Sequence, residues 1–194
     1  MSIKRSVFGK FNRRINNLFN PHEKYIQLRL SVKKITKEFE EMLKDKIEHN
    51  IISAEIRKGV EEDVDSIIKL YDQAWHSTTM PFHNLSKKKL LKLLKDSDTL
   101  ILIAKVNSID KGFAIIYLIG DTNKIGVIGA LGVVPELQRK GLGTRLGMAI
   151  WDYFKEKEVI ELKCTVYEDN KVSYSFITAL GFEEEDISIV PFKF

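Results

Sequence analysis

Cysteine is almost missing from this 194-residue chain, and so are long apolar runs. The one cysteine, Cys164, excludes an intramolecular disulfide and a cysteine-based metal cluster. The longest apolar runs, TLILIAKV and FAIIYLIG, fall far short of the roughly 20 residues that cross a bilayer. The opening segment MSIKRSVFGKFNRRINNLF scatters charge and has no continuous apolar core, so we expect no secretory signal. These features predict a cytoplasmic protein with no membrane span and no metal site.

Charge is unevenly distributed along the chain. Residues 1–50 carry twelve Lys and Arg against six Asp and Glu, whereas the remaining residues carry 19 against 21. We therefore predict a basic extension over residues 1–50 and a globular domain over residues 51–194. The domain has no chain-wide basic footprint, so a nucleic-acid partner is not expected; contact of the extension with nucleic acid or anionic lipid is the weaker alternative.

The later part of the extension, residues 22–49, lacks glycine and proline and is rich in Lys and Glu. Its apolar residues recur at alternating gaps of three and four, which is the spacing of an amphipathic helix. Such a helix packs on its own domain or on a second copy of the chain, so a homodimer through this helix is one prediction. The apolar positions are Tyr25, Leu28, Val32, Ile35, Phe39 and Met42.

The domain alternates strand-like and helix-like patterns. A strand near SAEIRKGV and two helices precede the apolar runs TLILIAKV and GFAIIYLIG, which the turn NSIDKG joins into a predicted antiparallel hairpin. KIGVIGALGVV continues as a strand, and a helix to about residue 157, the strand VIELKCTVY, a helix over about residues 170–180 and a last strand near DISIVPFKF follow. This order predicts a mixed α/β fold with helices packed on one sheet.

The stretch QRKGLGT, residues 138–144, lies between a strand and a helix. A helix N-terminus exposes unpaired N–H groups, and glycine at 141 and 143 lets an anion approach them closely. Arg139, Lys140 and Arg145 add positive charge, so we predict a pyrophosphate site. No P-loop string occurs anywhere in the chain, and the third glycine of a dinucleotide fingerprint is replaced by Leu146. The remaining alternative is a turn that binds nothing.

Two motifs together resemble the GNAT superfamily of acetyl-CoA-dependent N-acetyltransferases. LGVVPELQRKGLG is similar to the family signature Leu-x-Val-x-Pro-Glu followed by Gln/Arg-x-x-Gly-x-Gly/Ala. Asn170 and the later FITALGF resemble a second family element. The resemblance implies a central mixed sheet of about six to seven strands flanked by helices, with coenzyme A as the bound anion.

The resemblance also implies which residues hold acetyl-CoA. Backbone groups from Arg139 to Thr144 would hold the pyrophosphate, the strand from Leu131 to Val134 would pair with the pantetheine arm, and Asn170 would line the other side of the thioester. A backbone N–H of Val133 or Val134 would stabilise the oxyanion. The full expected set is Leu131, Val133, Val134, Gln138, Arg139, Lys140, Gly141, Leu142, Gly143, Thr144 and Asn170.

Proton transfer is harder to assign. Many family members carry Tyr seven residues after the Asn, but this chain has Ile177 there, and Tyr174 is the nearest substitute by helical spacing. His76 and His83 flank a loop that resembles the acceptor wall of the family, and either is a candidate base. Without an acid, the thiolate leaves unprotonated or takes a proton from water, which its low pKa allows.

The resemblance implies direct transfer of acetyl from acetyl-CoA to a primary amine through a ternary complex. The acceptor is a small molecule, a lysine or a protein N-terminus, and Glu168 and Asp169 are candidates to bind it if it is cationic. The missing Tyr at 177 leaves a non-catalytic acyl-CoA sensor as the alternative.

Overall fold

The structure is a computed structural model that describes residues 25–50, 52–76, 78, 85–120 and 122–185. Within these ranges the chain forms one seven-stranded mixed sheet and five α-helices, which confirms the predicted mixed α/β fold. The strands are β1 (Tyr25–Ser31), β2 (Glu55–Lys58), β3 (Thr99–Val106), β4 (Ile109–Ile119), β5 (Ile125–Val133), β6 (Glu161–Tyr167) and β7 (Glu183–Glu184). The helices are α1 (Lys37–Asn50), α2 (Val64–His76), α3 (Lys87–Leu94), α4 (Leu142–Glu156) and α5 (Lys171–Ala179).

The strands lie in the order β2-β3-β4-β5-β6-β1-β7. Neighbours pair antiparallel except β5 and β6, which are parallel and are connected through α4. The predicted hairpin of β3 and β4 is confirmed, and its turn places Asn107 and Ser108 at φ of 50° and 64°. The main core packs on β3, β4 and β5 and includes the fully buried Phe113, Ile115 and Phe154.

A β-bulge at Gly129 decides which helix each half of β5 faces. Ile115 pairs with Ala130 and Ile116 with Ile128, so Gly129 is the extra residue. A β-carbon on Gly126 would lie 2.8 Å from the Phe154 ring of α4, whereas one on Gly132 would lie 2.9 Å from Ala74 of α2. Residues six apart on a regular strand point to the same face, so without the bulge Gly126 and Gly132 would face the same helix. The contacts therefore also place α2 and α4 on opposite faces of the sheet.

The helix predicted over residues 22–49 is wrong at its beginning. Residues Tyr25–Ser31 form β1, which lies inside the sheet between β6 and β7. Leu28 and Leu30 of this strand are buried and pair with Cys164 and Leu162 of β6. The sheet therefore begins at Tyr25, not after residue 50. Without β1, one edge of β6 would have no partner among the described strands.

Helix α1 packs against α4 of the same chain. Lys155 Nζ of α4 donates to Glu40 Oε2 of α1 at 2.8 Å, and Leu43 and Ile47 pack on the core. The helix thus uses its apolar face within its own chain, and the predicted homodimer stays a prediction.

The last strand predicted near DISIVPFKF lies outside the described residues. In the described ranges the sheet ends with the two-residue strand β7, whose Glu183 accepts a hydrogen bond from Lys34 at 2.6 Å. None of the helices in these ranges combines the length and the apolar character that a membrane crossing needs.

Candidate active site

A cleft opens where β5 and β6 separate. Their parallel pairing runs from Ile125 and Glu161 to Ile128 and Cys164, and then stops, although β5 continues to Val133 and β6 to Tyr167. The space between the diverging ends measures about 810 Å³. Its walls are β5, β6, the glycine turn, the first turns of α5 and the C-terminal end of α2.

The separation leaves one edge of β5 open to the cleft. The Val134 N–H donates to the Lys111 carbonyl at 3.0 Å, which continues the β4–β5 ladder as a hydrogen-bonded pair. Along an antiparallel ladder, hydrogen-bonded pairs alternate with pairs that are not hydrogen-bonded. The backbone polar groups of Leu131 and Val133 therefore point away from β4 and into the cleft. The Gln138 side chain already caps the Val133 carbonyl at 3.1 Å. Of the two predicted oxyanion donors, the Val134 N–H is already bonded to Lys111, whereas the Val133 N–H faces the cleft and stays a prediction.

The glycine turn folds as a left-handed bend followed by a helix. Arg139 and Gly141 have φ of 61° and 82°, and Gly141 is the N-cap of α4. The Arg145 N–H donates to the Gly141 carbonyl at 3.0 Å, so the N–H groups of the first turn before it have no intrahelical partner. Leu142 is fully buried in the core and contributes only backbone to the turn.

The turn fits a pyrophosphate group. A β-carbon on Gly143 would meet nothing closer than Leu131 and Phe176, both at 3.8 Å, so packing does not require glycine there. The residue lines the cleft, and a side chain at this position would occupy the space in front of the helix N-terminus. Arg139 and Lys140 also line the cleft and are exposed. Unpaired N–H groups, the helix dipole and two cations together match the chemistry of a diphosphate.

Asn170 shapes the opposite wall. It is the one buried polar residue among those described, at 7% exposure, and its Oδ1 accepts from the Ser173 N–H at 3.0 Å. Its own N–H donates to the Tyr167 carbonyl at 2.9 Å. Asn170 thereby joins the end of β6 to the start of α5 and lines the cleft, as predicted.

The predicted proton-transfer residues do not converge on the cleft. Tyr174 is not among the residues that line it; its hydroxyl donates to Glu184 Oε1 of β7 at 2.8 Å, which raises the pKa of Tyr174. His76 is exposed at the end of α2, where its Nδ1 lies 2.7 Å from the Asp72 carbonyl oxygen, and it does not line the cleft either. His83 lies outside the described residues.

Ile177 and Cys164 also line the cleft, although neither was predicted as a site residue. Ile177 is buried there and offers no hydroxyl. Cys164 is 3% exposed at the point where the strands part, and burial raises the pKa of its thiol, so it is not an activated nucleophile. Among the described residues no group of three or more His, Cys, Asp and Glu could hold a metal ion.

Sequence reasoning missed part of the cleft lining. Trp75 lies in an apolar helical pattern and Thr165 in an apolar strand pattern, so neither residue is marked as a site residue by its sequence context. Both line the cleft. A usable signal existed for Thr165, because the residues of β6 alternate between buried and partly exposed and Thr165 is one of the partly exposed set.

Comparison with known proteins gives the same assignment as the geometry. The model of the Acetyltransferase (GNAT) family matches residues 65–182, which is more than half of the chain. A curated relative, spermidine N(1)-acetyltransferase of Thermoplasma acidophilum, is 29% identical over 150 residues that cover 70% of this chain and 91% of the relative.

Solved structures agree. The crystal structure of PaiA N-acetyltransferase from Thermoplasma acidophilum in complex with coenzyme A is 28% identical, with a TM-score of 0.64, and covers 71% of this chain and 94% of that one. An aminoglycoside acetyltransferase from an uncultured soil metagenomic sample, in complex with sisomicin, shares the fold at 20% identity and a TM-score of 0.61, over 76% of this chain and 99% of that one. The chain belongs to the acetyltransferase (GNAT) family and is an acetyl-CoA-dependent N-acetyltransferase.

Proposed function

We propose that the enzyme transfers acetyl directly from acetyl-CoA to a primary amine of a small cationic molecule, with both substrates bound in the cleft. The observation that carries this is the open edge of β5, where the backbone groups of Leu131 and Val133 face a space bounded at one end by the glycine turn. The far end, at Trp75 and Thr78, leaves room for a second substrate. A lysine side chain or a protein N-terminus is the other class of acceptor to test.

The curated relative supports the choice of a small acceptor, because it is named for spermidine. Its 91% coverage means that this chain carries nearly the whole length of that relative. A polyamine is therefore the first acceptor to assay.

Each element of the cleft has a proposed role. Acetyl-CoA supplies the acetyl group as a thioester whose carbonyl carbon accepts a neutral amine nitrogen. The backbone from Arg139 to Thr144 binds the pyrophosphate, and the side chains of Arg139 and Lys140 add charge. Leu131 and Val133 hold the pantetheine arm as a strand would, and the Val133 N–H stabilises the negative charge that develops on the carbonyl oxygen.

No side-chain acid is required in this proposal. A thiol has a pKa of about 8.5, so the coenzyme thiolate is a competent leaving group near neutral pH. As the new C–N bond forms and the C–S bond breaks, coenzyme A leaves as the thiolate and the amine nitrogen gives up one proton to solvent water. Tyr174 and His76 are not assigned to these proton transfers, because neither lines the cleft.

Two-substrate kinetics test the proposal. Thiol release is measured while acetyl-CoA and spermidine are varied together, and the panel then adds an aminoglycoside and a lysine-containing peptide. Direct transfer predicts intersecting double-reciprocal lines, and the control variant Cys164→Ala keeps its kcat. Parallel lines would indicate a covalent intermediate. Tight binding of acetyl-CoA without turnover of any amine would instead support the sensor alternative.

A further inference from the structure

Thr165 has an unpartnered hydroxyl on the wall of the cleft. Its Oγ1 is buried and has no hydrogen-bond partner in the described parts of the chain, and the residue lines the cleft. Gln27, which lies directly opposite on β1, does not bond to it. Leaving a buried polar group unpaired is costly, so an unpaired hydroxyl on a cleft wall indicates that a substrate atom completes its bonding.

Thr165 is the first residue of β6 beyond the point where β5 and β6 part. The last pair of the parallel ladder joins Ile128 to Cys164, and Gly129 and Thr165 follow on the two strands. Both of these next residues line the cleft. The Thr165 hydroxyl therefore belongs to the end of the cleft where the strands still pair, whereas the glycine turn lies beyond the other end of the open edge of β5.

The side chain of Thr165 points to the face of the sheet that α2 covers. Gly126 faces α4, and alternation places Cys164, the partner of Ile128, on the same face. Thr165 is the next residue of β6 and points the other way. Trp75, at the end of α2, lines the cleft on that side. Thr165 therefore lies on the side of the cleft where we propose that the acceptor binds.

The thioester of bound acetyl-CoA would reach the same position. The proposed function places the pyrophosphate at the glycine turn and the pantetheine arm along Leu131 and Val133. With about twelve chain atoms between phosphate and sulfur, the arm is about as long as four residues of extended chain. Four residues also separate Val133 from Gly129 on β5. An arm that follows β5 from the turn therefore carries its thioester toward Gly129 and Thr165.

The chemistry of a hydroxyl suits the attacking nitrogen. A primary amine attacks in its neutral form, with its lone pair directed at the carbonyl carbon and its N–H groups free to donate. The Thr165 oxygen can accept such a bond. The indole N–H of Trp75, the other unpaired buried side-chain atom among the described residues that line the cleft, can only donate. Thr165 is therefore the residue of this pair that fits an amine, and it recognises an N–H group, not a charge.

We propose that Thr165 Oγ1 accepts a hydrogen bond from the attacking nitrogen and thereby directs the nitrogen lone pair at the acetyl carbonyl carbon. This rests on the proposed function, because it assigns a residue of the same cleft to the acceptor. One N–H of the primary amine stays bonded to Thr165 and persists in the amide product. The nitrogen loses its other proton to water as the C–N bond forms and the C–S bond breaks, so Thr165 takes no proton. A secondary amine cannot keep an N–H through the reaction, so the same bond favours primary amines.

Stable analogues that join the two substrates test this bond without turnover. In one, the sulfur of coenzyme A carries a CH₂–CO–NH link to a 4-aminobutyl group, and in the other an ester oxygen replaces the NH. Calorimetry on the full chain should show that the amide binds about fivefold tighter than the ester, which is the contribution of one neutral hydrogen bond. Thr165→Ser should keep this preference. Thr165→Val, which keeps the shape and removes the hydroxyl, should reduce it to less than about twofold.

Kinetics with 1,4-diaminobutane give a second readout. At saturating acetyl-CoA we expect Thr165→Val to lower kcat about tenfold, because the nitrogen is no longer oriented, and Thr165→Ser to restore most of the loss. Thr99→Val is the matched control. It removes a strand hydroxyl that donates to Asp96 at 3.2 Å and does not line the cleft, so it should keep both the amide preference and kcat.

The outcomes separate this inference from the proposed function. The amide preference is a ratio, so a general loss of binding in a variant does not change it. Equal affinity of the unmodified protein for the two analogues, or a full amide preference in Thr165→Val, overturns the inference and leaves acetyl transfer intact. Absence of turnover with every amine overturns the proposed function, whatever the two analogues show.

Discussion

At the scale of single residues, Gly143 is a position where stability and ligand binding oppose each other. A β-carbon there would find only ordinary contacts at 3.8 Å, and alanine favours a helix over glycine by up to about 1 kcal/mol. We expect Gly143→Ala to keep or raise the melting temperature. The same methyl group stands in front of the helix N-terminus, so the dissociation constant of acetyl-CoA should rise about tenfold or more, measured by calorimetry.

Gly147 is the matched control for this variant. It lies one turn further along α4, does not line the cleft, and a β-carbon there would meet nothing within 4 Å. Gly147→Ala should therefore stabilise the helix by a similar amount and leave acetyl-CoA affinity unchanged. If both variants bind acetyl-CoA with the same affinity, the glycine turn is not part of the acetyl-CoA site.

Tyr174 gives the second prediction at this scale. Its hydroxyl is bonded to Glu184 outside the cleft, so Tyr174→Phe should leave kcat within about twofold of the unmodified enzyme. A residue acting as general acid contributes about 10² to 10⁴ in rate. A loss of that size, measured at saturating substrates, would restore Tyr174 as the acid.

Gly143 and Tyr174 show how much of the site could be predicted from the sequence. The glycine turn was predictable because its function depends on backbone geometry that a short motif dictates. The acid was not, because positions 174 and 177 differ by about 60° around a helix and that rotation separates the cleft from β7. Only the packing of α5 on the sheet decides which of them faces the thioester.

At the scale of elements, β1 shows how two periodicities can overlap. Apolar residues in YIQLRLS alternate at Ile26, Leu28 and Leu30, which is a strand pattern, yet Tyr25 and Leu28 also fit the three- and four-residue gaps of a helix. The two-residue alternation matches the structure, since Leu28 and Leu30 are buried and pair with β6. Pairing with a strand more than 130 residues away is invisible to a local pattern.

Leu28 should carry much of the stability of this strand. It is fully buried, so Leu28→Ala is expected to lower the free energy of unfolding by about 2 to 5 kcal/mol. Arg29 is the next residue and is exposed, so Arg29→Ala should change the free energy of unfolding by no more than about 0.5 kcal/mol. Urea denaturation compares the two; similar small losses would mean that β1 contributes little to the fold.

An ion-pair group ties β2 to the turn before α2 and gives a pH-dependent prediction. Arg57 donates to both carboxylate oxygens of Asp63 at 2.6 and 2.8 Å, and lies 3.6 Å from Asp110. The hydrogen bond from Arg57 is the main cause that lowers the pKa of Asp63. A lowered pKa in the folded state gives stability that is present at neutral pH and is lost as pH falls below about 4.

Asp63→Asn tests this group. The amide can still accept from the Val60 N–H, which Asp63 does at 2.9 Å, but it loses the charge. We expect a loss of about 2 kcal/mol in the free energy of unfolding at pH near 7, because hydrogen bonds to charged groups contribute about that much. The difference in the free energy of unfolding between the variant and the unmodified protein should become smaller as the pH is lowered below about 4. A gap independent of pH would contradict the assignment.

At the scale of the whole molecule, the sheet consists of two parts joined by a short seam. Strands β2 to β5 form one part and β6, β1 and β7 the other, and among the described residues only the pairing from Ile125–Glu161 to Ile128–Cys164 connects them in the sheet. The family motifs predicted the cleft above this seam. They could not predict that an N-terminal strand completes the second part, because β1 lies before the residues that carry the motifs.

A ligand in the cleft touches both parts and should stabilise the molecule as a whole. At acetyl-CoA concentrations 100 times the dissociation constant, binding to the folded state alone adds about 2.7 kcal/mol to the free energy of unfolding. For a chain of this size that corresponds to a rise in melting temperature of about 5 to 11 °C. At the same concentration Gly143→Ala should show a smaller rise, and Gly147→Ala the full one. Amide hydrogen exchange should slow on both sides of the seam, at residues 129–133 of β5 and 165–167 of β6, since the bound substrate bridges them. Protection confined to the glycine turn would mean that the pyrophosphate binds there while the open edge of β5 remains solvated, and the role proposed for Leu131 and Val133 would then be wrong.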